Sequence, residues 1–161
     1  MSKLPQVVRE LHRSEISLAR DLLALADRHR VDHEVFHVAR DIAGWSQIHV
    51  RRLAEVGARY GVKLNPSPRW QIPAAGVLSR WVSTAVGRRP ETGLLLLADL
   101  RSVHRKAAGV SLDWELLAQA AQAMKERPLL ELAQDCHPQT LRQMRWANAH
   151  LKVTSPQVIA S

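Results

Sequence analysis

A proline-rich connector divides this chain into two halves, and each half is predicted to form a long helical hairpin. The connector, residues 61–92, holds four prolines, at positions 66, 68, 73 and 90. On either side of it, apolar residues recur at intervals of three and four, which is the period of an amphipathic helix. The pattern predicts four helices, at about residues 5–27, 32–60, 93–125 and 128–152, followed by an extended tail from Thr154. A short helix is also predicted within the connector, at 74–86, with Trp81 as an anchor.

The length of the connector predicts how the two hairpins are joined. Short turns make the helices of each hairpin antiparallel, and a helix of this length extends for about 40 Å. A connector of this length can cross that distance, whereas a short turn could not. We therefore expect the second and third helices to run parallel, in a single-domain four-helix bundle spanning residues 1–161 with one long crossover.

Composition agrees with an all-α fold, and the sequence argues against a membrane-spanning or secreted protein. Alanine and leucine dominate, β-branched residues are few and only seven glycines occur among 161 residues. The sequence contains no run of about 18 apolar residues, so we expect no membrane span. The N-terminus lacks the apolar stretch of a signal peptide. Cys136 is the only cysteine, which excludes an intramolecular disulfide and is typical of a cytoplasmic protein.

The formal net charge of +8 raises the question of an anionic partner. Basic side chains are scattered along the chain, and no run of five or more of them occurs. Charge of this kind predicts only weak, salt-sensitive binding of nucleic acid. The partners that we expect instead are a second copy of the chain, in a homo-oligomer, or another protein.

Two ionisable residues lie at the centres of apolar helical stripes. Glu15 interrupts a stripe on the first helix, and His49 interrupts one on the second; the first stripe contains Val8, Leu11, Leu18, Leu22 and Leu25. An ionisable group in a core costs several kcal/mol unless it is paired, protonated or bound to a metal. In the predicted bundle both residues lie near mid-height, and His137 of the fourth helix falls at a similar level.

Three interpretations of these residues stay open. In the first, Glu15 and His49 form a buried polar pair, with Ser46 bridging them. In the second, Glu15, His49 and His137 bind one zinc or iron ion, since carboxylate and imidazole suit either metal. A catalytic acid–base role is a third use of the same groups, but no motif indicates a reaction.

In helix connectivity, and in Glu15 and His49, the chain resembles the ferritin-like superfamily. Di-iron members of that family carry a glutamate on each of two helices and a Glu-x-x-His motif on each of the other two. The resemblance implies that Glu15 and His49 occupy two of these six positions. Where the other ligands would stand, the sequence has Ser46, Ala107 or Ser111, and the pair Thr140 and Gln143.

The resemblance therefore implies the fold without the di-iron chemistry. We expect a non-enzymatic binding or scaffolding protein with no cofactor. The alternatives are a metal-binding protein with the reduced site at Glu15, His49 and His137, and a basic protein associated with nucleic acid.

Overall fold

Four helices make up the regular structure of the residues that the computed structural model describes, which are 2–71 and 91–161. They are α1 (Leu4–Arg28), α2 (His33–Ala58), α3 (Thr92–Ala123) and α4 (Arg127–Ile159). The described residues include no strand, so the predicted all-α class is confirmed for them. The short helix predicted at 74–86 lies outside the described residues.

The helix ends follow from local sequence signals. Asp32 caps α2, and its side chain accepts a hydrogen bond from the backbone N–H of Val35 at 3.1 Å. After α2 the chain turns at Gly61, whose φ of +73° is in the left-handed region that glycine adopts readily. Pro5 and Pro128 lie in the first turns of α1 and α4, where no intrahelical N–H is needed.

Each helix packs against two neighbours, in the pairs α1–α2, α1–α3, α2–α4 and α3–α4. Side-chain pairs fix the directions. From one end of the bundle to the other, α1 pairs with α3 through Arg28–Asp99, Asp21–Lys106 and Glu15–Trp114. Because one series of numbers falls as the other rises, α1 and α3 are antiparallel. Since α2 is also antiparallel to α1, α2 and α3 run parallel, as the connector predicts.

The first part of the connector runs along α1. His12 donates from Nε2 to the carbonyl oxygen of Asn65 at 2.9 Å, and Arg20 donates from Nη2 to that of Arg69 at 2.7 Å. These contacts carry the chain from the level of the α2 C-terminus towards the opposite end of the bundle, where α3 begins.

The fourth helix is longer than the sequence pattern predicts. The tail from Thr154 was expected to be extended, but α4 continues to Ile159 and includes both Pro138 and Pro156. A proline removes one backbone hydrogen bond, and packing can offset that loss. At this end of the bundle the side chain of Val158 lies against Gly93, where an added Cβ would come within 2.7 Å of it. The tail is therefore helical because it packs on the start of α3.

At both ends of α3, the residues that face the core differ from those predicted. Leu96, rather than Leu97, is buried, and Met124 is 45% exposed although an inward position was expected. Four consecutive leucines at 94–97 give no periodic signal from which to read the inward face. No helix within the described ranges is both long and apolar enough to cross a membrane.

Candidate functional site

A buried contact between Glu15 and His49 lies at mid-height of the bundle. The apolar stripes of α1 and α2 direct both side chains inward, and they are 0% and 1% exposed. His49 donates from Nδ1 to Oε1 of Glu15 at 2.8 Å. The contact expected from the sequence is therefore present, and it joins two antiparallel neighbouring helices.

Both remaining helices contribute to this contact. Trp114 of α3 is fully buried and donates from Nε1 to the same Glu15 Oε1 at 2.7 Å. Thr140 of α4 approaches that oxygen at 3.5 Å. On the other side of the imidazole, Nε2 of His49 donates to Oε1 of Gln139 at 2.7 Å. One carboxylate thus collects hydrogen bonds from three helices.

Gln143 and Ser46 form a second buried contact one turn away. The amide nitrogen of Gln143 donates to Ser46 Oγ at 2.9 Å and to the backbone carbonyl of Ile42 at 2.7 Å. Ser46, which was expected to bridge Glu15 and His49, thus accepts a hydrogen bond from Gln143. We refer to the seven side chains that make these contacts as the polar layer: Glu15, Ser46, His49, Trp114, Gln139, Thr140 and Gln143.

The polar layer favours the protonated form of His49. Both ring nitrogens face acceptor oxygens, so both must carry hydrogens. Burial by itself lowers the pKa of His49. The negative charge of Glu15, together with hydrogen bonds from the ring to nearby side chains, outweighs burial and raises this pKa to about 10. The layer is thus built on an imidazolium–carboxylate ion pair.

This ion pair predicts a pH dependence of stability. The pKa of His49 rises from 6.5 to about 10 on folding, so its contribution to stability is complete below pH 6.5 and is lost as the pH rises through 10. The free energy of unfolding should fall across that window by up to ~1.4 kcal/mol per pH unit. Urea unfolding at a series of pH values measures it. A His49→Gln variant should lose this component, and equal slopes for the two proteins would contradict the ion pair.

His137 does not join the pair. It lies near the expected height, but it is one residue beyond Cys136, which faces the core, and the helix turns its side chain towards α3. There its Nε2 lies 2.8 Å from Ser111 Oγ, and its Nδ1 lies 3.8 Å from Glu115. The three-residue metal site predicted from Glu15, His49 and His137 is therefore not assembled.

The side chains of the polar layer also do not fit a di-metal centre. Within the part of the chain that the structure describes, no three histidine, cysteine, aspartate or glutamate side chains are grouped so as to hold a metal ion. The layer supplies one carboxylate, and its imidazole donates from both nitrogens. Trp114, which stands opposite Glu15 on α3, has only an N–H donor and no lone pair for a ligand.

Sequence reasoning missed Trp114 and Gln139 as partners. Trp114 follows the apolar stripe of α3, so periodicity identifies it as core without revealing its hydrogen bond. The number of residues between Trp114 and the α3–α4 turn could have indicated this bond, because it places Trp114 at the height of Glu15. Gln139 lies beside the stripe of α4, so periodicity does not predict that its side chain turns inward to His49.

Two surface depressions lie away from the polar layer. One, of about 330 Å³, is lined by residues at the end of α2 and the start of the connector, including Ala54 and Leu64. The other, of similar volume, lies on the outer face of α1 around Arg13 and Arg20. Neither includes a residue of the polar layer.

In comparisons with protein families, curated proteins and solved structures, no significant match to the chain is found.

Proposed function

We propose that this protein is a ferritin-like bundle that has lost the di-metal centre and acts as a non-enzymatic binding or scaffolding protein. The parallel arrangement of α2 and α3 supports the ferritin-like connectivity, because that arrangement requires a crossover along the bundle. The polar layer supports the loss of the metal centre. In this proposal it holds the four helices in register, and the outer surface makes the functional contacts.

The observation that carries the proposal is the full engagement of His49. A metal ligand must offer a lone pair, but both nitrogens of this imidazole donate hydrogen bonds, to Glu15 and to Gln139. Its raised pKa, about 10, means that metal would have to displace a tightly held proton at neutral pH. The layer thus favours a proton over a metal ion.

The comparison with the di-iron pattern points the same way. Ser46 and His49 occupy one Glu-x-x-His position, and Thr140 and Gln143 occupy the other. At both, a hydroxyl replaces the glutamate, and Gln143 replaces the second histidine. Gln143 donates to Ser46 across the helices, and Thr140 approaches Glu15, so the side chains at these positions converge as a ligand set would. Hydroxyl and amide groups replace two carboxylates and one imidazole of that set.

Metal titration of the purified full-length chain tests the proposal. Isothermal titration calorimetry with Zn²⁺, and anaerobically with Fe²⁺, should detect no equivalent tighter than about 10 µM. Glu15→Gln and His137→Ala variants serve as matched controls and should titrate like the wild type. One tight equivalent that is lost in both variants would instead establish the three-residue site and overturn the proposal.

A further inference from the structure

An apolar stripe on the outer face of α3 has no partner among the described residues. Leu112 and Leu116, one helical turn apart, are 66% and 63% exposed. Ala108 and Gly109 lie one turn earlier on the same face, and a Cβ added to Gly109 would meet nothing within 4 Å. Isolated exposed leucines are common on protein surfaces, but a stripe with small residues beside it allows another helix to approach closely. We call these four residues the α3 stripe.

Charged and polar side chains are segregated on the two sides of the α3 stripe. On its N-terminal side, Arg101 and Arg105 are exposed. On its C-terminal side, Glu115 is about half-exposed and accepts a hydrogen bond from Gln119 at 3.0 Å. A helix face with arginines at one end and a glutamate at the other is complementary in charge to an antiparallel copy of itself.

On the outer face of α3 these residues are spaced symmetrically about the height of Val110, which itself faces the core and is 1% exposed. Arg105 and Glu115 lie at equal distances before and after it, as do Ala108 and Leu112, and as do Arg101 and Gln119. When two helices pack antiparallel about a two-fold axis at that position, each residue faces the one at the equal and opposite distance. Leu112 then lies over Ala108 of the other copy, while Arg105 lies beside its Glu115.

We infer that the α3 stripe docks a second copy of this chain, antiparallel about a two-fold axis near Val110; the inference rests on the scaffolding function proposed above and locates its interface. A parallel arrangement would bring Arg105 against Arg105. A nucleic acid would satisfy the arginines but would cover two leucines with a charged backbone. The second copy accommodates both the apolar and the charged residues.

Sedimentation velocity on the full-length chain tests this interface. The wild type should be a dimer at micromolar concentration, and Leu112→Glu should make it monomeric by weakening association at least tenfold. Val153→Glu is the matched control, because Val153 is 62% exposed but lies on α4, outside the stripe. It should leave the dimer intact. Circular dichroism should show unchanged helix content in both variants.

Charge reversal tests the register independently of folding. Arg105→Glu and Glu115→Arg should each weaken the dimer, and the double variant R105E/E115R should restore it, because both copies exchange charges together. Three results would each overturn the inference. The dimer could be unaffected by Leu112→Glu, or the wild type could stay monomeric at about 100 µM. The third is that the wild type retains duplex DNA and Arg105→Glu abolishes that retention. None of these results bears on the metal titration. The proposed loss of the metal centre and the α3 interface can therefore be refuted independently of each other.

Discussion

Replacing Glu15 with alanine should lower the free energy of unfolding by roughly 3–5 kcal/mol. The substitution removes the only acceptor seen for Trp114 Nε1 and the counterion of the His49 imidazolium, both buried within the described bundle. Removing one member of a buried ion pair is costly because the other member remains out of water. Chemical denaturation of the two proteins at pH 7 measures the difference.

Glu15→Gln should cost clearly less than the alanine variant. Glutamine keeps the shape of glutamate and one acceptor oxygen, so Trp114 retains its partner while His49 becomes neutral. The same variant should lose the fall in stability between pH 6.5 and 10, because burial of His49 without Glu15 lowers its pKa. This loss distinguishes a broken ion pair from a general packing defect.

Glu10→Ala is the control for both substitutions. Glu10 lies on the same helix, but its side chain is 58% exposed and, among the described residues, pairs with Arg13 alone. An exposed pair of this kind contributes little, so the change should stay within about 0.5 kcal/mol. Equal losses from Glu10→Ala and Glu15→Ala would mean that the polar layer does not stabilise the bundle.

The contact between Glu15 and His49 was predictable from sequence because it depends on two regular quantities. Helical periodicity gives the inward face, and the distance from a short turn gives the height. Both quantities are local to one hairpin, where register errors are small. The same reasoning gave the parallel direction of α2 and α3, since the connector is long enough to cross the bundle.

Contacts between the two hairpins were less predictable. Ser46 and Gln143 lie 97 residues apart in sequence, and their pairing depends on the relative rotation of α2 and α4. His137 shows how sensitive such contacts are, since a shift of one position along a helix rotates a side chain by about 100°. Its height was close to the expected level, but the rotation placed it against Ser111 instead of His49.

A rebuilt ligand set should make the polar layer bind metal. We expect the triple variant S46E/T140E/Q143H to bind a divalent cation at the centre of the bundle, with Glu15 and His49 completing the set. The positions already converge, because Ser46 Oγ lies 2.9 Å from the Gln143 amide and Thr140 Oγ1 lies 3.5 Å from Glu15. The variant then offers three carboxylates and two imidazoles, the ligand types of the di-iron pattern.

Without metal, this variant should be less stable than the wild type, because the added carboxylates are buried like charges. At about one hundred times its dissociation constant, Zn²⁺ or Mn²⁺ should stabilise it by ~2.7 kcal/mol, or roughly 5–10 °C in melting temperature. The control variant S102E/Q134E/N148H adds the same side chains at exposed positions. Metal should leave its melting temperature unchanged. Equal responses of the two variants would mean that these positions do not form a ligand set, and the proposed ferritin-like relationship would lose its support from the centre of the bundle.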